Sequence, residues 1–425
     1  MKKNLFVFIC FSLAISATAQ DFDDFFYHKT MRFDYIHAGN QTSEHYYFSR
    51  LKEEPFYAGS QVSLIDTNNY GDQLFKIIDA ASEKEIYSRG FCTLFNEWQT
   101  TEEAAQIKKA FSESVVFPYP QKAARIELYA RNDKMGFDKK FEYDINPDSY
   151  FVEKFIPTYE TFEVMYAGNP THSVDIVLIP EGYTTSQRAK FEEACHFFAD
   201  ELFKYAPFNE NRDRFNIVAV WAPSHDEGVT IPGENVWKRT ATGANFHTFG
   251  SERYLTISDF QILRDIAGHV AYDYIYVLSN TPKYGGGGIY NFYGISSAHH
   301  PNLTGKIYLH ELGHLMFGLG DEYAGNVSFN EMYPTNREPW EPNLTTLVDF
   351  DKKVWKTMLD SNTPIPTPAT KEYNDKLGVF EGGGYIPKGV YRPQQQCLMN
   401  QITQTDTFCP VCQKAITDMI DFLTQ

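Results

Sequence analysis

The first third of the chain shows apolar and polar residues that alternate in short runs between turn-forming residues. Two paired runs, MRFDYIHAGNQTSEHYYFSRL and LFKIIDAASEKEIYSRGF, each contain a central polar turn, and AARIELYARND adds a further run. A period of two is typical of strands with one buried face, and a polar turn between two such runs is typical of a hairpin. The pattern predicts a β-sandwich at residues 20–155.

One helix is predicted to interrupt these strands. Thr100 and Glu103 have the spacing of a capping box, in which each side chain bonds the backbone of the other residue. The segment EAAQIKKAF follows directly and completes the predicted helix.

From residue 156 the rhythm changes to strands that alternate with helices. The apolar segments VDIVLIPEGY, FNIVAVWAP and YDYIYVLSN are strands by this pattern, and TTSQRAKFEEACHFFADELFKY and SDFQILRDIAG are helices. Phe191, Cys195, Phe198 and Leu202 share one helical face. This order is typical of an α/β domain. We therefore predict two domains of α+β or α/β class, residues 20–155 and 156–425, that fold separately.

The N-terminus has the composition of a secretory signal peptide. Residues 1–19 contain a lysine pair, an apolar run from Leu5 to Ile15, and small residues at Ala17 and Ala19. The run is too short to span a bilayer, for which about 20 apolar residues are needed. This segment predicts export to the periplasm, the cell surface or the medium.

The charge and hydropathy of the chain exclude two classes of partner. The formal net charge is −17, which argues against binding nucleic acid through its phosphates. No segment after the leader has the run of about 18 apolar residues that a transmembrane helix requires. We therefore expect no nucleic-acid partner and no transmembrane segment.

The segment KIYLHELGHLMFGLGDEY contains the strongest chemical signal in the chain. His310 and His314 are four residues apart, so both imidazoles project from one face of a helix, one turn apart. Glu311 lies beside them, where a carboxylate can act as general base toward water. This spacing predicts a zinc site on a helix.

A catalytic zinc ion needs three protein ligands and one open position. His314 is the last histidine of the chain, so the third ligand is an acid or an upstream histidine. Gly318 and Gly320 can adopt positive φ and turn the chain back, which makes Asp321 the first choice. The other acids considered are Glu322, Glu331, Glu372 and Glu381. We expect Glu322 to turn away and bond backbone or solvent.

The run HExxH, three residues, Gly, two residues and Asp resembles the motif of metzincin metallopeptidases, with one extra residue before the glycine. The longer forms HELGHLMFGLGDEY and FEGGGYIPKGVYRPQQQCLMN resemble the IgA-peptidase family of secreted bacterial zinc peptidases. The resemblance covers most of residues 160–425 and extends to the β-rich part. It implies a metzincin-like peptidase domain, one catalytic zinc ion, and a protein or peptide substrate such as host immunoglobulin or another glycoprotein.

The resemblance also implies roles for residues outside the helix. Met399 would form the methionine turn that lies beneath the zinc ion in metzincins. The segment from Gly286 to Ser296 would be the edge strand that pairs with an extended substrate. Tyr323 and Tyr391 are candidate hydroxyl donors for the oxyanion of the transition state.

The cysteines allow several interpretations. Five of the six follow the predicted leader, so at least one thiol has no partner within the chain. Cys409 and Cys412 form a single CxxC, which is typical of a redox pair or of half a structural zinc site. A disulfide from Cys397 to Cys409 or Cys412 would tether the methionine turn to the last helix, and Cys412 is the preferred partner.

Two other functions fit the same residues. One is a zinc amidohydrolase that acts on cell-wall or glycan amides. The other is a binding protein whose peptidase domain is degenerate, although the intact set of His310, Glu311 and His314 argues against it. We therefore predict a secreted zinc endopeptidase.

Overall fold

The computed structural model describes residues 21–325 and 333–425. The predicted signal peptide at residues 1–19 and the candidate ligand Glu331 lie outside the described residues. In the described ranges, no helix combines the length and apolar character that a membrane crossing demands.

The N-terminal part contains two antiparallel sheets. Its strands are β1 (Phe26–Asn40), β2 (Ser43–Glu54), β3 (Gln73–Asp79), β4 (Glu85–Phe91), β5 (Lys109–Pro120), β6 (Ala124–Arg131) and β7 (Phe137–Ile145). The three-stranded sheet has the order β2–β1–β5 and the four-stranded sheet the order β4–β3–β6–β7. Phe33 on β1, Ile77 on β3 and Ile126 on β6 belong to one buried cluster, so the two sheets share a core. This part is β-rich, as predicted, and the three quoted runs form strands β1–β4 and β6.

The helix predicted after Thr100 is wrong. The α-helix of this region, α1 (Leu94–Gln99), ends before that residue. The predicted helix is reduced to a 3₁₀ turn at Glu103–Ala105, and residues 109–120 form strand β5. Glu103 accepts a hydrogen bond from the Trp98 indole at 2.6 Å and does not complete a capping box. Pairing along the whole length of β5 with β1 outweighs the weak local preference for a helix.

The remaining strands are β8 (Glu160–Tyr166), β9 (Val174–Glu181), β10 (Phe215–Trp221), β11 (Ala244–Asn245), β12 (Thr256–Ile257), β13 (Tyr274–Ser279), β14 (Gly286–Ile289), β15 (Tyr293–Ser297), β16 (Phe380–Gly383) and β17 (Ile386–Arg392). The helices are α2 (Arg188–Leu202), α3 (Phe260–Ala267), α4 (Thr304–Phe317), α5 (Val354–Thr357) and α6 (Pro410–Leu423). A six-stranded sheet has the order β14–β15–β13–β9–β10–β8.

The six-stranded sheet is mixed. Its central strands β15, β13, β9 and β10 are parallel, and its two edge strands, β8 and β14, are antiparallel to their neighbours. Strands β9 and β13 are buried on both faces, as expected for parallel strands covered by helices. The predicted alternation of strands and helices in this part is therefore confirmed, including the buried face of α2.

The largest buried cluster includes residues from both halves of the chain. Leu94, Phe95 and Trp98 of α1 belong to the same cluster as the six-stranded sheet and α4. Arg32 on β1 donates to Asp265 on α3 at 2.8 Å, which joins the halves through a partly buried ion pair. The boundary near residue 155 stays a prediction, but the packing on either side of it is shared.

Candidate metal centre

Helix α4 presents His310 and His314 side by side. Their rings are perpendicular with centroids 4.8 Å apart, and their Nε2 atoms are 3.2 Å apart. His310 Nδ1 lies 2.9 Å from the carbonyl oxygen of Leu398, and His314 Nδ1 lies 2.6 Å from that of Leu319. A carbonyl can only accept, so each Nδ1 carries a proton and donates it. In the neutral rings, both Nε2 atoms therefore have a free lone pair.

The chain turns back immediately after α4, as predicted. Gly318 ends the helix in the left-handed conformation with φ +60°, which a residue with a side chain adopts only with strain. Gly320 has no positive φ, so that part of the prediction is wrong. It is instead a point of close approach, because a Cβ there would lie 2.5 Å from Leu344 Cδ1.

The turn brings Asp321 to the histidine pair. Asp321 Oδ1 lies 3.1 Å from His310 Nε2 and 3.4 Å from His314 Nε2, and the residue is only 4% exposed. Burial would lower the pKa of His314, but the adjacent Asp321 carboxylate outweighs burial and raises the pKa to about 9. The group of atoms therefore attracts positive charge strongly.

The donor set fits a divalent cation. Two imidazole lone pairs and a buried carboxylate oxygen without a hydrogen-bond donor face one another at 3.1–3.4 Å. Such an arrangement is repulsive unless a proton or a metal ion lies among the three atoms. Two nitrogen ligands with one carboxylate oxygen are typical of a zinc site that keeps a position open.

Asp321 is held in place from its other side. The Tyr385 hydroxyl donates to Asp321 Oδ2, which leaves Oδ1 directed at the imidazoles. A partner of this kind fixes the orientation of a metal ligand. No sequence pattern points to Tyr385, because it lies 64 residues beyond Asp321 in a segment without periodic pattern.

Met399 and the turn that contains it lie directly under α4. Met399 is fully buried, and a Cβ on Gly313 would lie 2.6 Å from its sulfur. The residue before it, Leu398, supplies the carbonyl that accepts from His310. The segment predicted around Met399 therefore both packs against the helix and orients one of its imidazoles.

Glu311 faces a cleft of ≈ 990 Å³ that the histidine pair and Asp321 also line. Burial raises the pKa of the Glu311 carboxyl, as expected for a group that accepts a proton in a partly dry site. Strand β14 crosses above it at very short range, because a Cβ on Gly286 would lie 2.5 Å from Glu311 Oε1. A Cβ on Gly288 would lie 2.3 Å from the Glu311 carbonyl oxygen.

The predicted edge strand at residues 286–296 is confirmed only in its first part. Strand β14 is the edge strand of the sheet, but the rest of the segment turns back and forms the internal strand β15. Its outer side is partly occupied, because the Leu255 amide donates to the Gly286 carbonyl oxygen at 3.3 Å. Pairing with an extended substrate is therefore restricted to the rest of the strand.

The two candidate tyrosines lie in different places. Tyr323 lines the cleft, and its hydroxyl accepts a hydrogen bond from Arg253 at 3.0 Å. Tyr391 is on β17, where its backbone pairs with Thr345, and it is not among the residues that line the cleft. Of the two, only Tyr323 is placed to reach a substrate.

The N-terminal part also lines the cleft. Thr93, Asn96 and Glu97 in and next to α1 contribute to its wall. Burial raises the pKa of Glu97 to about 7, and the Tyr254 hydroxyl donates to its carboxylate. Nothing in the sequence pattern marked these residues, because their position depends on the packing of the two halves.

The other acids do not join the site. Glu372 and Glu381 are exposed, with Glu381 on the β16–β17 hairpin. Glu322 turns away from the histidines as expected, but the expected bond to backbone or solvent is wrong. Its carboxylate is completely buried and accepts hydrogen bonds from Asn343 at 3.0 Å and from Cys412 at 3.1 Å.

The predicted disulfide is not formed in the structure. Cys397 and Cys412 are thiols, and their sulfur atoms are 3.8 Å apart. A disulfide bond is about 2.05 Å long. Both cysteines are nevertheless buried beside each other, so the predicted proximity of the methionine turn and the last helix is correct.

A helix with two histidines and a glutamate, joined by an aspartate from the following turn, is the arrangement of peptidases that use a metal ion. Residues 162–376 and 369–420 match the family model of IgA Peptidase M64, and residues 21–142 match that of the Peptidase M64 N-terminus. The chain belongs to the IgA peptidase M64 family and is a peptidase. No curated protein sequence matched the chain.

Proposed function

We propose that the protein is an exported zinc-dependent endopeptidase with a metzincin-like catalytic domain at residues 156–425. The observation that carries the proposal is the meeting of His310 Nε2, His314 Nε2 and Asp321 Oδ1 within 3.4 Å. These three residues hold the zinc ion. When bound, zinc polarises the scissile carbonyl and lowers the pKa of water.

The residues of the chain supply the other parts of the reaction. Glu311 accepts a proton from the attacking water and delivers it to the leaving amine, as a general base and then a general acid. Tyr323 lines the same cleft and is the candidate donor to the developing oxyanion. The free part of β14 aligns an extended peptide by adding a strand to the sheet.

The metzincin-like assignment is supported by three features. Gly318 ends α4 so that the next turn delivers the third ligand, Met399 lies beneath the helix, and β14 is an antiparallel edge strand above it. We further propose that residues 1–19 are removed during export. N-terminal sequencing of the mature protein tests the cleavage site after Ala19.

Zinc content and peptide hydrolysis test the proposal together. Wild-type protein is expected to cleave members of an unbiased peptide library and to lose this activity when a chelator removes the metal. Asp321→Ala is expected to lose the catalytic zinc ion, whereas Glu381→Ala, an exposed acid outside the cleft, is expected to keep it. Equal affinity of Asp321→Ala and wild type for zinc at the histidine site would refute the ligand assignment.

The family description makes immunoglobulin A the first protein substrate to test. Cleavage of cell-wall or glycan amides without cleavage of any peptide would favour the amidohydrolase instead. Including both kinds of substrate in one screen decides between them.

A further inference from the structure

A second cluster of metal-ligating side chains lies in the core behind the cleft. Cys397, Cys409, Cys412 and Glu322 place one ligand atom each within 4.8 Å of one another. All four residues are at most 2% exposed. They come from three segments: the turn after Asp321, the turn that contains Met399, and the start of α6. The peptidase chemistry described above uses none of these four side chains.

Three distances in this cluster are compatible with a tetrahedral metal site. Two sulfurs bound to zinc at about 2.3 Å in tetrahedral geometry stand about 3.8 Å apart. Cys397 Sγ and Cys412 Sγ are 3.8 Å apart. Glu322 Oε1 lies 3.1 Å from Cys412 Sγ and 3.7 Å from Cys409 Sγ, so it is close enough to share an ion with the sulfurs.

No ion pair balances the polar groups of the cluster. The Glu322 carboxylate is completely buried and forms no ion pair within residues 21–325 and 333–425, and the positive charge of Arg392 acts on it only from a greater distance. Its Oε2 atom has no hydrogen-bond partner among the described residues. The backbone amides of Met399 and Cys409 are directed at Cys397 Sγ, at 3.5 and 3.3 Å. Burial of a carboxylate that has no ion-pair partner is unfavourable, and amides directed at a sulfur favour its thiolate form.

We propose that Cys397, Cys409, Cys412 and Glu322 bind a structural zinc ion, separate from the ion of the histidine pair. Binding replaces the three thiol protons, which pass to solvent, by one Zn²⁺. Thiolates are soft ligands that select zinc over magnesium and calcium. Four protein ligands close the coordination shell, so this ion stabilises the fold and does not bind substrate.

The position of this ion connects it to the catalytic residues. Glu322 follows Asp321 directly, and its amide donates to the Met399 carbonyl oxygen at 2.8 Å. Cys397 precedes Leu398, whose carbonyl orients His310. A zinc ion at the cysteines therefore fixes two turns. One turn contains Asp321, and the other contains the Leu398 carbonyl that orients His310.

A full-length variant without the catalytic histidines tests the site independently of the peptidase. His310→Ala combined with His314→Ala is expected to retain one zinc ion per chain after dialysis, measured by elemental analysis. X-ray absorption of this variant is expected to show zinc in a sulfur-dominated shell at about 2.3 Å. When cobalt replaces zinc, the expected readout is a thiolate-to-cobalt charge-transfer band in the near ultraviolet. A variant that holds no zinc overturns the proposal, whatever the activity of the wild type.

Single substitutions provide the matched comparison. Cys412→Ser is expected to lose the thiolate-bound ion and to unfold at a lower temperature, while Cys195→Ser, a fully buried cysteine on α2, keeps the ion. Equal zinc content in these two variants overturns the proposal.

Thiol counting on the wild type keeps the proposal testable if Cys412→Ser does not fold. After denaturation in the presence of a chelator, all five described cysteines are expected to react with a thiol reagent. A native disulfide would leave two of them unreactive and would overturn the zinc assignment. Failure of the proposed endopeptidase function would instead leave this thiol count and the sulfur-bound zinc unchanged.

Discussion

Replacing Tyr385 by phenylalanine removes one hydroxyl from the support of the metal centre. The ring stays in place against Tyr323, with centroids 5.2 Å apart, but Asp321 Oδ2 loses the donor that holds the carboxylate in position. Oδ1 is then free to rotate away from His310 and His314. We expect Tyr385→Phe to weaken zinc binding at the catalytic site.

The size of the effect follows from the charge of the acceptor. A hydrogen bond to a charged group contributes about 1.5–3 kcal/mol, and 1.4 kcal/mol corresponds to a tenfold change in affinity. Loss of a residue that supports a metal ligand typically lowers affinity by about 10–100-fold. We therefore expect the zinc affinity of Tyr385→Phe to fall by about 10–100-fold.

Competition with a chromophoric chelator at fixed pH measures this change. Tyr391→Phe is the matched control, because it also removes a tyrosine hydroxyl from the β16–β17 hairpin, at a residue that does not line the cleft. Activity at saturating zinc gives a second readout. Recovery of kcat shows that Tyr385 acts through Asp321, whereas a kcat that stays low shows direct contact with substrate. Zinc affinity within about twofold of Tyr391→Phe would refute the role of the hydroxyl.

Three further changes test other parts of the structure. Glu311→Gln is expected to keep zinc and to lose about 10²–10⁴-fold in rate, and near-normal turnover would remove Glu311 from the mechanism. Gly286→Ala is expected to lower kcat with zinc retained, because the new Cβ would lie 2.5 Å from Glu311 Oε1; Gly136→Ala, with nothing nearer than 3.6 Å, is the control. Burial and then the neighbouring Asp273 raise the pKa of Asp175. The unfolded chain therefore loses this proton first, near pH 4, and stability falls as the pH rises above that value. Urea unfolding at about pH 5 and about pH 8 gives the free energy of unfolding at each pH. We expect this free energy to fall less between the two pH values in Asp175→Asn than in wild type, and an equal fall would contradict the prediction.

Local patterns were sufficient to predict much of the fold and part of the site. Apolar runs located strands such as β9 and β13, because a strand that is buried on both faces has an almost continuous apolar sequence. The histidines, Glu311 and Asp321 were also found locally, since one helix and one turn determine their positions. The capping box at Thr100 failed because Thr100 lies at the C-terminal end of α1 and its hydroxyl donates to the Glu97 carbonyl, and pairing with β1 makes residues from Lys109 onward a strand.

Residues that meet only through tertiary packing could not be predicted. Tyr385 and Glu97 reach the cleft from segments on opposite sides of α4 in the sequence. From the sequence, Glu322 was expected to turn away from the zinc ligands and bond backbone or solvent, and the cysteines were expected to form a disulfide, a redox pair or half a zinc site. Their association requires that the turn after Asp321 face the N-terminus of α6, which no spacing in the sequence indicates.

The hydrogen bond from His310 to Leu398 has a consequence for biosynthesis. The acceptor lies 88 residues after the imidazole that it orients. A nascent chain emerges from the ribosome in order, so the histidine helix is made well before the turn that positions it. Until that turn docks, His310 lacks its backbone acceptor and α4 lacks the methionine packed against Gly313. Synthesis of the methionine-containing turn thus precedes the orientation of His310, and the histidine helix exists for 88 residues of translation without this support.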